Sequence, residues 1–248
     1  FKNTPSNFKR LTKEEVTRIN KNPHSSPYMP VQEKGIRTSC ALPYELYADG
    51  KLAADKKSFE ISLRAGNKVF GDLAAGSPFH VYTPGKYQQE DVRAWSYAVG
   101  AGDALKDYWN LNHFENDNYH LRVYGPNGFF REFMGNENDP LVDIIGIYEM
   151  PGRRPTGKFS LQFNNRSKKV QEISVTDNAY KTNPRTLSVR ATGSSKEMQR
   201  ITLDTGKSHG WYDFTIKIKG YSLFEMRYAG RIETGSPGKT DPAMGRVI

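Results

Sequence analysis

One pattern occurs twice in this chain. Residues 119–135 read YHLRVYGPNGFFREFMG and residues 212–230 read YDFTIKIKGYSLFEMRYAG: an alternating run, a glycine-containing turn, an aromatic-rich run and a closing glycine. The echo extends backwards in the same order. FEISLR (59–64) matches FSLQFN (159–164), FHVY (79–82) matches ISVT (173–176), and RAWSYAV (93–99) matches RTLSV (185–189). An ordered series of similar segments points to a duplicated β unit, and we place the copies at residues 42–135 and 140–232.

A chain of 248 residues with 36% hydrophobic and 12% aromatic content has enough apolar side chain for two cores. No apolar run approaches the roughly 20 residues that cross a bilayer, and no export signal is visible at the start. The opening FKNTPSNFKR has neither an initiator Met nor a structural start, so we expect a segment of a longer polypeptide. Cys40 is the single cysteine, which excludes an intrachain disulfide and a thiolate metal cage. The net charge of +9 favours anionic surfaces. Its largest clusters are small, at Lys9, Arg10 and Lys13, at Arg153 and Arg154, at Arg166, Lys168 and Lys169, and at Lys217 and Lys219. None makes a basic stripe interleaved with exposed aromatics, so no nucleic-acid partner is expected.

Residues 11–21 (LTKEEVTRINK) form the best helix signal: Thr12 caps, Glu15 follows three residues later, and Leu11, Val16 and Ile19 give a thin apolar face. Residues 22–39 carry Pro23, Pro27, Pro30 and Gly35 and read as an extended linker. From Leu42 onwards short period-two runs alternate with turn residues such as Asp49-Gly50 and Gly125-Pro126-Asn127-Gly128. The expected fold is all-β: two tandem immunoglobulin-like antiparallel sandwiches preceded by a short helix and linker, residues 1–41. The joint at 136–140 is short enough to hold the two copies in contact. Residues 233–248, rich in Gly and Pro, read as an extended tail with no place in a core.

Catalytic motifs are missing. The five histidines, at 24, 80, 113, 120 and 209, show no HExxH spacing. Glu115, Asp117, Glu137 and Asp139 lie in Asn-rich loops without EF-hand order, and there is neither a GxSxG elbow nor a phosphate loop around Gly100-Ala101-Gly102. No catalytic residue, metal ligand or cofactor is assigned. Aromatic pairs remain as candidate contacts, with Tyr108 and Trp109, Phe129 and Phe130, and Tyr221 the leading ones. Adjacent strand residues point to opposite faces, so one ring of each pair faces outward. Beside the GPNG turn, the outward ring of Phe129 and Phe130 is positioned for the sister repeat or a lipid interface.

Several strings are more specific than a β pattern requires. LPYELYADG (42–50), FHVY (79–82), YHLRVYGPNGFF (119–130), DNAY (177–180) and above all AGRIETGSPGKTDPAMG (229–245) resemble the C-terminal region of bacterial phosphocholine-specific phospholipases C. The strand at 221–226 (YSLFEM) is bulkier and less basic than that family's usual one. The resemblance implies a secreted or periplasmic parent whose N-terminal catalytic domain, similar to the alkaline and acid phosphatase superfamily, splits phosphatidylcholine or sphingomyelin into phosphocholine and diacylglycerol or ceramide. Two copies of a small β-domain would follow. The present segment would then be non-catalytic, with that catalytic domain as partner and a phospholipid surface as a second contact, and the tail would lie along the catalytic domain through Arg231 and Asp241. The other reading of a β-sandwich pair, a free-standing adhesion or carbohydrate-binding module, stays open at this point.

Overall fold

A computed structural model describes residues 10–23, 26–28, 35–152 and 155–244. Residues 24, 25 and 29–34 of the expected linker, and the basic residues Lys9, Arg153 and Arg154, lie outside the described residues. Two compact units are present, residues 1–35 with 244–248, and residues 36–243. In the first, α1 (Lys13–Lys21) has the expected capping box. The Thr12 hydroxyl accepts from the Glu15 amide at 3.2 Å, and the Glu15 carboxylate accepts from the Thr12 amide at 2.9 Å. Glu14 and Glu15 at its start and Arg18 and Lys21 at its end complement the helix dipole.

The second unit is built of strands. β1 (Thr38–Ser39) comes first. The first repeat then supplies β2 (Leu46–Leu52), β3 (Ser58–Ala65), β4 (Ser77–Thr83), β5 (Arg93–Val99), β6 (Ala104–Asn110), β7 (Tyr119–Tyr124) and β8 (Phe130–Gly135). The second supplies β9 (Val142–Tyr148), β10 (Lys158–Asn165), β11 (Gln171–Asp177), β12 (Arg185–Val189), β13 (Met198–Asp204), β14 (Trp211–Ile218) and β15 (Glu225–Arg231), and β16 (Gly238–Lys239) follows. Alternation decides which face goes inward. On β3, Phe59, Ile61, Leu63 and Ala65 are fully buried, and on β10 so are Phe159, Leu161 and Phe163.

Both repeats pair their strands identically. Three form one sheet, in the order β2-β3-β6 and again β9-β10-β13. The other four run β5-β4-β7-β8 and again β12-β11-β14-β15. The two sheets of each repeat pack face to face, with Phe59 stacked on Tyr119 at 4.2 Å and Phe159 on Tyr212 at 4.3 Å. What alternation could not announce is that β8 and β15 pair antiparallel, fusing the two four-stranded sheets into one sheet of eight. At the centre of that pairing Glu132 faces Arg227, and each stands three residues before its repeat's closing glycine, Gly135 or Gly230. The repeats are thus related by a local two-fold axis through this pair. Fusion also satisfies two rows of backbone donors and acceptors that separate sandwiches would leave as open edges.

In the other layer β2 and β9 run side by side without ladder bonds. Side chains bridge them instead: the Gly146 amide donates to Asp49 Oδ1 at 3.0 Å and the Tyr148 hydroxyl to the Leu46 carbonyl at 3.0 Å. Gly50 and Gly146 occupy matching places here. A Cβ on Gly50 would stand 2.6 Å from the Phe59 ring and one on Gly146 2.8 Å from the Phe159 ring. Gly50→Ala and Gly146→Ala are each expected to destabilise by about 1–3 kcal/mol through overpacking, measured by denaturant unfolding. The joint between repeats is fixed too, because Asp139 accepts from the Tyr119 hydroxyl at 2.7 Å and the Asn136 amide at 2.9 Å.

Two expected contact residues are corrected by burial. Trp109 is 2% exposed, its ring edge-on to Trp95, and Phe129 is 4% exposed, packed on Phe79. Phe129 turns inward because it closes the turn, with its carbonyl accepting from Gly125 and its amide donating to Pro126. The described part of the tail lies against its own chain: β16 pairs with β1, Thr38 opposite Lys239 and Ser39 opposite Gly238.

Candidate functional site

The outer face of the eight-stranded sheet carries a continuous row of interacting side chains across the junction. Strand register sets Tyr82 beside Arg122, Arg122 beside Glu132, and Glu132 beside Arg227. Glu132 accepts from Arg122 Nε at 2.5 Å and from His120 Nε2 at 2.7 Å. Arg227 grips both oxygens of Asp213, at 2.7 and 2.6 Å. Parallel to this row, Tyr82 stacks on Tyr124 at 5.8 Å and Tyr124 leans on Phe130 at 5.0 Å. The outward ring of the Phe129–Phe130 pair is therefore Phe130, half covered by the Arg227 guanidinium of the sister repeat.

Burial pushes the Glu132 carboxyl upward, but hydrogen bonds and charge from His120 and Arg122 outweigh it and leave the group at about 2. Its pKa is lower folded than unfolded, so the stabilisation is complete above the ordinary carboxylate value and is lost as pH falls towards 2. Asp49 and Asp139 behave in the opposite sense. Burial raises both to about 6, against donors and cations that lower them, so their stabilising protonated forms are lost as pH rises through that value. Thermal melts are expected to give a maximum near pH ~4, below the window in which Asp49 and Asp139 lose their protons, with the acid limb flattened by Glu132→Gln. A midpoint climbing steadily from pH ~4 to ~7 would contradict this.

The remaining candidates are scattered. Tyr108 is 55% exposed on the outer face of β6. Tyr221 is half-buried and lines a surface cleft of about 550 Å³ with Lys217, Lys219 and Glu172. Arg231 is buried, its side chain 4% exposed, and closed to any separate domain. It pairs with Glu233 at 3.3 Å and donates to Ser39 Oγ at 3.0 Å. Glu233 in turn accepts from Asn127 Nδ2 at 2.6 Å and the Leu42 amide at 3.3 Å. Asp241 accepts from the Tyr180 hydroxyl at 2.9 Å. The tail residues marked as anchors thus bind the body of their own chain, tying together the first strand, the GPNG turn and the end of β15. Among the described residues no three His, Cys, Asp or Glu side chains are grouped to hold a metal ion.

The duplicated pattern has a counterpart among known proteins. A family model described as the C-terminal domain of bacterial phospholipase C matches residues 38–136 and matches a second time at residues 141–231. The chain belongs to this family. A non-hemolytic phospholipase C of Pseudomonas aeruginosa is 32% identical over 225 residues, which is 88% of this chain and 30% of that protein. A non-hemolytic phospholipase C of Burkholderia pseudomallei is 30% identical over 89% of this chain and 29% of its own length. A hemolytic phospholipase C of Pseudomonas aeruginosa is 29% identical over 87% of this chain. This phospholipase C C-terminal region spans about 30% of the length of these relatives.

Proposed function

We propose that this chain is the non-catalytic C-terminal pair of repeats, residues 42–135 and 140–232, of a secreted bacterial phospholipase C. The observation that carries the reading is the double match to a C-terminal domain model in a chain covering about 30% of its relatives. The parent enzyme hydrolyses phosphatidylcholine or sphingomyelin to phosphocholine and diacylglycerol or ceramide in its upstream catalytic domain. The repeats brace that domain and help it meet a lipid surface. Their fused sheet and buried tail clamp support the bracing role, because a rigid body can fix the strand through which the chain enters it. Net charge of +9 supports the lipid role.

The test is the full-length enzyme against a form lacking residues 38–243. We expect the truncated form to lose thermal stability and to turn over micellar phosphatidylcholine more slowly than a soluble phosphocholine ester, relative to the intact enzyme. Unchanged melting and unchanged turnover on both substrates would defeat the proposal. Phosphodiesterase activity in the purified chain itself would defeat its non-catalytic part.

A further inference from the structure

We infer that one end of the second repeat, formed by the β10–β11 and β12–β13 loops, is the surface that contacts anionic phospholipid. This assignment rests on the lipid role proposed above and gives it a location. The two loops carry Lys168, Lys169, Arg190 and Lys196, all exposed. Val170 and Met198 flank them, 58% and 53% exposed.

The charge here is left unpaired while neighbouring cations are matched. On the same repeat Arg166 pairs with Asp143, Arg200 with Glu149, Lys217 with Glu225 and Lys219 with Glu172. Among the described residues, none of the four loop cations has a carboxylate within 4.0 Å. The one acid in these loops, Glu197, is turned onto the Gly193 amide. Basic residues beside exposed apolar ones are what an anionic bilayer recognises, the cations meeting headgroups while the apolar side chains enter the interface.

The loops are also held in place. Asn165 is fully buried, and its amide nitrogen donates to the carbonyls of Lys169 at 2.7 Å, Val189 at 3.1 Å and Arg190 at 3.0 Å. Its oxygen accepts from the Ser167 amide at 2.9 Å and hydroxyl at 2.6 Å. The Thr192 amide then reaches the Ser167 carbonyl at 2.9 Å, joining loop to loop. The first repeat provides an internal comparison. It has Ala65 where the second has Asn165, and its matching loops, 66–76 and 100–103, carry Lys68 against Asp72 and Asp103. Duplication by itself therefore does not produce the basic end.

Co-sedimentation of the chain with vesicles of phosphatidylcholine containing about 30% phosphatidylserine tests the assignment. Lys168→Gln with Lys169→Gln is expected to weaken binding about 25-fold, or about fivefold per lysine. Val170→Ser with Met198→Ser is expected to weaken it about tenfold, with the loss persisting at high salt, where electrostatic attraction is screened. Lys68→Gln with Leu73→Ser, the matching changes in the first repeat, should leave binding unchanged. All six positions are exposed or lie in loops, and circular dichroism checks that the fold is kept. If the wild-type chain fails to bind at low ionic strength, the lipid role proposed above falls together with this site. If it binds and the second-repeat variants bind as well as wild type, or the first-repeat variant loses as much, only the site is overturned. Binding that ignores Val170 and Met198 and is fully competed by a soluble polyanion would assign the loops to acidic polymers and overturn the lipid assignment.

Discussion

Arg131→Ala is expected to destabilise the chain by about 3–5 kcal/mol, measured as a fall in the denaturant midpoint at constant slope. Arg131 lies on β8 and is 1% exposed, yet its charge points into the core shared by the two repeats. Its guanidinium donates to the Phe130 and Ala229 carbonyls, both at 2.8 Å, and to the Tyr212 hydroxyl at 3.0 Å. It lies 4.2 Å from the Phe129 ring centre and 4.8 Å from that of Tyr228. Counted back from the closing glycine, the same place in the second repeat is Met226, also 1% exposed. Alanine leaves a large void together with acceptors that have lost their donor. Arg131→Met installs the residue the other copy already uses, fills the aromatic box and leaves the Tyr212 hydroxyl bonded to that of Tyr148 at 3.1 Å. Its cost should be less than half that of alanine, because replacing a buried charge by apolar volume is often close to neutral. Burial raises Asp49 to about 6 against the opposing charge of Arg131, so the methionine variant should also move Asp49 higher, readable by carboxyl NMR titration. Equal losses for Ala and Met would mean that the charge, rather than the volume, holds the junction.

The sequence reveals the duplication because period-two runs and terminal glycines survive divergence. FEISLR and FSLQFN still alternate inward apolar residues with polar residues on the opposite face after most identities are gone. The strands missed by pattern alone have specific reasons. β6 carries Asp107 on its inward face, held by the Tyr97 hydroxyl, so its alternation is broken. β2 and β9 carry glycine at an inward position, where it makes room for a phenyl ring, and in β2 the Asp49-Gly50 pair reads as a turn. Joining of the sheets through β8 and β15 is illegible for a deeper reason. Edge pairing is made by backbone groups that every sequence has, and only the burial of Arg131 and the Glu132–Arg227 alignment betray it. Of the aromatic pairs, the alternation rule gives one inward and one outward ring. It does not say which, and turn geometry rather than strand register turned Phe129 in.

The local two-fold explains why the two copies could diverge at their ends. Pairing about Glu132 and Arg227 sets the tip of the first repeat's last hairpin, Asn127 and Gly128, beside the end of β15, where the tail departs and covers it. The matching tip in the second repeat, around Leu223, has none of the described tail residues bonded to it, and Leu223 is 46% exposed. The segment that leaves β15 clamps one of the two equivalent tips, so the two ends differ through connectivity, without any change in the strand plan.

Glu233→Ala is expected to cost about 3–5 kcal/mol, because it leaves the Arg231 cation buried without its counter-charge. Both side chains are nearly sealed, 4% and 3% exposed, and Arg231 Nε has no hydrogen-bond partner, so the pair already stands close to its desolvation limit. Alanine also strips the acceptor from Asn127 Nδ2 and the Leu42 amide, which loosens the GPNG turn and the entry strand together. Glu233→Gln removes the charge and keeps an acceptor for only one of those two donors, its amide nitrogen replacing the other oxygen, so its loss should fall between alanine and wild type. The double replacement Arg231→Met with Glu233→Leu removes both charges and keeps the volume, and is expected to recover most of the loss. Opening should begin locally, with proteolytic cleavage between residues 235 and 240 and exchange of the Leu42 amide both accelerating before the global transition. If cleavage accelerates equally in the alanine variant and the double replacement, the tail is held by the β1–β16 ribbon and the Trp211 indole, which donates to the Lys239 carbonyl at 3.0 Å, and the buried ion pair contributes little.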